Sequence, residues 1–131
     1  MNLLYKETTD LIIKAFYNVY NDLGFGFLEK VYERAMLIEL KLLGLNCDSQ
    51  RKIDVYYKNL NVGDYYADII VDDKIILELK SAENIIKEHE AQLINYLKAT
   101  SIEIGFILNF GKEPYFKRMI FENKFKSLKS V

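Results

Sequence analysis

The stretch Tyr65-Tyr66-Ala67-Asp68-Ile69-Ile70-Val71-Asp72-Asp73-Lys74-Ile75-Ile76-Leu77-Glu78-Leu79-Lys80 decides how this chain folds. Two runs rich in β-branched residues flank a polar turn, the pattern of a β-hairpin. Side chains alternate between the faces of a strand, so Ala67, Ile69 and Val71 form one row and Ile75, Leu77 and Leu79 another. Both rows must bury the same face, and that requirement sets the register. A two-residue loop, Asp72-Asp73, pairs Asp68 with Leu77 and sends the rows to opposite faces. A three-residue loop, Asp72-Asp73-Lys74, pairs Ile69 with Leu77 and Asp68 with Glu78. It needs a residue that tolerates left-handed backbone, which Asp does. Two carboxylates then stand side by side, their Cβ atoms roughly 5 Å apart, with Lys80 two residues further along the same face.

Directly opposed like charges destabilise a sheet. The repulsion can be offset by a shared cation, by a raised pKa or by Lys80. A divalent metal with oxygen ligands is the most economical answer. An ordinary solvated Glu–Lys pair accounts for Glu78-Leu79-Lys80 just as simply, so the rest of the chain has to decide.

The chain has 131 residues, half of them apolar and 28% charged, which predicts one soluble domain over residues 1–131 with a single core. No apolar run reaches the length of a membrane span, and the N-terminus lacks a signal-peptide pattern. The lone Cys47 excludes an internal disulfide and a multi-Cys zinc site, and suits a reducing cytoplasm. A net charge of −1 gives no global basic field for nucleic acid. The last stretch is locally basic, however. Lys112, Lys117, Arg118, Lys124, Lys126 and Lys129 outnumber Glu113 and Glu122 there, as a phosphate-contacting edge or a solvated tail would require.

Taken in order, Thr8 or Thr9 is positioned to cap a first helix running to residue 23, with Leu11, Ile12, Ala15, Phe16 and Val19 as its apolar stripe and Gly24 as its stop. After the tight connection Gly24-Phe25-Gly26-Phe27, a second helix is predicted over 28–43. Its core stripe is Leu28, Val31, Ala35, Ile38 and Leu42, with Glu29, Tyr32, Glu33 and Met36 beside it. Glu29 falls in the first turn, where the helix dipole favours its charge. A strand over 51–57 and a turn at Lys58-Asn59-Leu60-Asn61 precede the hairpin. A third helix over 86–99 carries His89, Gln92 and Tyr96 as one polar stripe, with Leu93, Ile94 and Leu97 pointing elsewhere. The apolar run 102–109 reads as an interior strand covered on both faces, and 115–121 as a last strand after Gly111 and Pro114. The order ααβββαββ predicts an α/β sandwich around a mixed sheet, the crossover through the third helix placing a parallel neighbour.

With Asp68, Glu78-Leu79-Lys80 and Gln92-x-x-x-Tyr96 placed on these elements, the chain resembles the PD-(D/E)xK nuclease superfamily. The helix opening Gly26-Phe27-Leu28-Glu29-Lys30-Val31-Tyr32 is similar to that of the GxxExxY family within it. The likeness runs over about residues 11–121 and includes the stretch from His89 to Thr100. One departure is Ala67 before Asp68, where the superfamily's name has a proline; that position varies widely among such enzymes.

The resemblance implies a restriction-endonuclease-like three-layer sandwich and a metal-dependent nuclease acting on DNA. It implies that Asp68 and Glu78, helped by the Leu79 carbonyl, hold Mg²⁺ or Mn²⁺, and that Glu29 completes or orients that shell. Lys80 would position water and stabilise developing charge. Gln92 and Tyr96 would buttress the site or touch the nucleic-acid backbone. Gly26 would let backbone approach closely, and Tyr32 would pack behind Glu29. The other expectation is a catalytically silent module of the same fold that binds nucleic acid or protein. Small members of this fold often work as dimers, so a homodimer or larger complex is also expected, with the late strands offering an edge.

Overall fold

A computed structural model describes residues 4–126. Helices α1 (Lys6–Leu23) and α2 (Glu29–Leu42) come first. Strands β1 (Cys47–Tyr57), β2 (Leu60–Val71) and β3 (Ile75–Lys80) follow, then α3 (Lys87–Lys98), β4 (Ile104–Phe110) and β5 (Pro114–Ile120). The strands form one five-stranded sheet in the order β1-β2-β3-β4-β5. Only β3 and β4 are parallel, joined by the crossover through α3; the other neighbours are antiparallel. The predicted order ααβββαββ and mixed sheet are therefore observed.

Three layers result from burial on both faces of the sheet. One face packs under α1 and α2, where Ile12, Phe16, Met36 and Leu40 meet Ile69, Leu77 and Phe106. The other packs under α3, where Leu93 and Leu97 meet Ile70, Ile76 and Ile107. Strand β4 is buried at every position because it lies between the two layers. Its Gly105 marks the closest approach of α3: a Cβ there would stand 2.6 Å from Leu93 Cδ1 and 3.1 Å from the Ile76 carbonyl oxygen.

The hairpin has the predicted register. Ile69 pairs with Leu77 and Val71 with Ile75, across the loop Asp72-Asp73-Lys74. Both aspartates adopt left-handed backbone, at φ 51° and 57°. One member of the predicted apolar row departs. Ile69 and Val71 face α1 and α2, whereas Ala67 packs on the α3 side with Ile53. The cause is local: opposite Asp68, Gln50 is left-handed at φ 53°, and the β1–β2 ladder steps from Ser49↔Ile69 to Arg51↔Ala67 without it. Period-two alternation does not survive such a kink. The β1–β2 turn is also tighter than predicted, turning on Lys58 and Asn59 alone.

Two helix expectations are corrected. Neither Thr8 nor Thr9 caps α1, which starts at Lys6; Thr9 lies inside the first turn and donates its hydroxyl to the Lys6 carbonyl at 3.0 Å. In α2 the buried residues are Tyr32, Glu33, Met36 and Leu40. The stripe predicted as core, Leu28, Val31, Ile38 and Leu42, faces solvent, with Ala35 at its margin. Both stripes have helical spacing, so periodicity alone does not choose between them. Tyr32, stacked on Phe110 with ring centroids 4.2 Å apart, fixes which one turns inward.

Candidate functional site

The site forms where β2 and β3 part. Their ladder ends at Ile69↔Leu77. At the next position the two carboxylates take over the backbone's hydrogen bonds. The Asp68 N–H donates to Glu78 Oε2 at 3.0 Å, and the Leu79 N–H donates to Asp68 Oδ2 at 2.8 Å. Each side chain thus caps the opposite strand, and the strands splay around a wedge of two carboxylates. Glu78, two residues from Ile76, lies on the α3 side toward Tyr96, while Asp68, at the kink, stands between Glu78 and Gln50.

Glu78 is almost fully buried. Burial is the main cause that pushes its pKa up to about 8, and the Asp68 charge adds to it. The Asp68 N–H and Lys80 oppose the shift, and Glu29 adds a smaller like-charge push. Among the described residues no three His, Cys, Asp or Glu side chains are grouped closely enough to hold one metal ion. The compact part of the expected set is the pair Asp68–Glu78.

On α3, Gln92 Nε2 donates to the Tyr96 hydroxyl at 2.8 Å. The tyrosine is buried, and its pKa is pushed up to about 12 by burial and then by the Glu78 charge, the Gln92 bond acting against it. The i, i+4 spacing brings these two together as predicted. His89 does not join them. Its Nδ1 accepts the Ile86 N–H at 3.2 Å, which closes the start of α3.

The connection before α2 owes its shape to Tyr32. The Tyr32 hydroxyl donates to the Gly24 carbonyl at 2.6 Å and accepts the Phe27 N–H at 3.2 Å. Gly26 between them has φ 110°, a conformation that L side chains rarely adopt. Tyr32 therefore holds the loop that delivers Glu29. Beside this loop a cleft of about 550 Å³ opens at the carboxyl ends of β3 and β4, lined by Phe25, Phe27, Leu28, Ala82, Phe110 and Lys112 among others.

Three contributors escaped the sequence reading. Gln50 Nε2 donates to Glu33 Oε1 at 3.0 Å and lies 3.5 Å from Asp68 Oδ1, tying α2 to the wedge. Glu33 is buried one turn beyond Glu29; its place on the Tyr32–Met36–Leu40 face was the available signal. Asn109 grips the chain after β3, accepting the Ala82 N–H and donating to the Ala82 carbonyl. Nothing in the pattern marked Gln50, whose role depends on its left-handed backbone. The basic C-terminal edge is partly consumed internally. Lys117 pairs with Glu90, Lys124 with Glu122, and Lys126 donates to the carbonyls of Thr100 and Ile102. Lys129 lies outside the described residues.

A mixed sheet between two helical layers, with paired carboxylates and a lysine where its hairpin splays, is consistent with the restriction-endonuclease-like fold. The chain matches the family model of the PD-(D/E)XK nuclease superfamily over residues 6–119 and belongs to that superfamily. The fold is shared with the crystal structure of SSO0001 at a TM-score of 0.57 and 18% identity, over 90% of this chain. The match spans 58% of that longer chain. Among curated proteins none matches. No helix of the described residues is long and apolar enough to cross a membrane.

Proposed function

We propose that this protein is a metal-dependent nuclease that hydrolyses phosphodiester bonds in DNA in the cytoplasm, and that it falls within the GxxExxY family. The observation that carries the proposal is the carboxylate wedge. A buried acid beside a second carboxylate, its pKa raised to about 8, is an arrangement that a divalent cation would relieve. The donor set is all oxygen and suits Mg²⁺ or Mn²⁺: Asp68, Glu78 and the Leu79 carbonyl, with Glu29 steadying the shell from the start of α2. Bound there, the cation would neutralise phosphate charge and make hydroxide available at neutral pH.

The remaining groups act on the substrate directly or hold those that do. Lys80, whose charge already lowers the cost of ionising Glu78, stabilises negative charge developing on the phosphate. The Gln92–Tyr96 pair fixes a hydroxyl beside the carboxylates, placed to orient the scissile strand. The cleft beside Gly26 and Lys112 continues the site at the carboxyl ends of the parallel strands, where open α/β sheets receive ligands. For the GxxExxY assignment, Gly26 supplies the turn, Glu29 the first-turn carboxylate and Tyr32 the anchor.

A second reading, a silent module that binds nucleic acid or protein without turnover, is favoured by one observation: the described residues hold no three-ligand cluster. End-labelled single- and double-stranded DNA incubated with Mn²⁺ separates the two. The nuclease reading expects cleavage that chelator abolishes and that Asp68→Asn lacks. Binding without cleavage at any metal concentration overturns it in favour of the module.

A further inference from the structure

We propose that the outward face of α2 is a self-association surface, on which a second copy of the chain lays its own α2 in parallel. The helix is apolar on two sides. Tyr32, Met36 and Leu40 enter the core, while Leu28, Val31, Ala35, Ile38 and Leu42 run along the opposite flank at 3-4-3-4 spacing. Leu28 is 80% exposed, Val31 38%, Ile38 63% and Leu42 74%. Single exposed apolar residues on a surface need no explanation, but a continuous helical seam does. Its two heptads of a/d spacing fit a second helix, and the charges beside it decide between partners.

The charges beside the seam select the partner and its direction. Arg34 and Lys41 flank it on one side and Glu39 on the other. In a parallel, in-register pair a residue on the Arg34 flank meets the residue five further along on the opposite flank of the other helix. Arg34 then faces Glu39 of the second copy, and twofold symmetry repeats the contact. An antiparallel pair sets Arg34 and Lys41 against their own copies, which repels. Arg34 forms no ion pair among the described residues, and Asn18 already holds Glu39 through Oε2 at 3.0 Å, so this carboxylate is pre-oriented. The 14 residues of α2 make a seam about 21 Å long. A contact of that size gives a concentration-dependent dimer rather than a permanent one.

Sedimentation equilibrium of the whole protein across a concentration series tests the proposal, with a Cys47→Ser background for cross-linking. The mass should rise toward twice the 15.4 kDa of one chain. Ile38→Asp should return it to one chain while leaving the circular-dichroism melt of the fold in place. Glu39→Lys should weaken the dimer, and Arg34→Glu in the same chain should restore it. On mild oxidation Leu28→Cys should link to itself, because a parallel pair brings the two copies of this position together. Three results would overturn the proposal: a single-chain mass at every concentration, which would leave the face to another helical partner or to none; a dimer indifferent to Ile38→Asp; or cross-linking of Leu28→Cys to Leu42→Cys in a mixture, which marks an antiparallel pair.

Discussion

At the scale of residues, Asp68 and Glu78 serve as mutual backbone caps and, in our proposal, as ligands. Their substitution therefore separates charge from fold. Asp68→Asn and Glu78→Gln keep an oxygen acceptor for the Leu79 and Asp68 amides, so the wedge should still close. Both variants should fold and lose the melting shift that Mn²⁺ gives the parent. Lys80→Ala should keep that shift, because the carboxylates hold the ion, yet lose on the order of 10²–10³ in turnover. Acidity gives a second check. Folded Glu78 holds its proton to about pH 8, while an unperturbed glutamate releases it near 4.5. Between those values the folded state binds more protons than the unfolded state, so stability without a cation falls as pH rises. Chelator-treated melting curves from pH 5 to 8.5 should slope downward for the parent and flatten for Glu78→Gln. A parent whose melting is flat over that range would remove the buried acid from the account.

At the scale of elements, the hairpin was legible and α2 was not. The hairpin's register followed from one constraint, two apolar rows sharing a core, together with two aspartates able to take left-handed backbone. Helix α2 offered two apolar stripes of equal periodicity, and tertiary packing, with Tyr32 stacked on Phe110 and Met36 and Leu40 in the core, turned the one containing Tyr32 inward. Of the residues beside the predicted stripe, Tyr32, Glu33 and Met36 are buried on the inward face, whereas Glu29 is exposed. Gln50 was invisible because its effect rests on a backbone angle, and His89 because a helix cap and a polar stripe look alike in sequence. Tyr32 tests the loop it anchors. Tyr32→Phe removes the bonds to Gly24 and Phe27 while preserving the stack on Phe110, and should cost about 1–2 kcal/mol in urea unfolding. The Phe27 amide should then exchange faster with solvent. Unchanged exchange there would mean that the loop holds its shape without the hydroxyl.

At the scale of the whole molecule, three layers converge on one end of the sheet. Helix α2 brings Glu33 through Gln50; the hairpin brings the carboxylates; α3 brings Gln92 and Tyr96. The α3 layer depends on its close approach at Gly105, and Gly105→Ala should cost about 1–3 kcal/mol by overpacking Leu93. Topology was readable because the chain alternates element types in an order with few solutions: a crossover helix forces a parallel pair, and an all-apolar strand must lie inside. The convergence itself was readable only through family resemblance, since no local pattern states which helix meets which strand. In our proposal the wedge between β2 and β3 is a cation site. Calorimetric titration of the parent with Mn²⁺ at neutral pH tests it most directly, beside Asp68→Asn and Lys80→Ala. A cation site in the wedge predicts saturable binding to the parent, retained by Lys80→Ala and lost in Asp68→Asn; a parent that takes up no Mn²⁺ at millimolar concentration, or an Asp68→Asn variant that binds as the parent does, would contradict it.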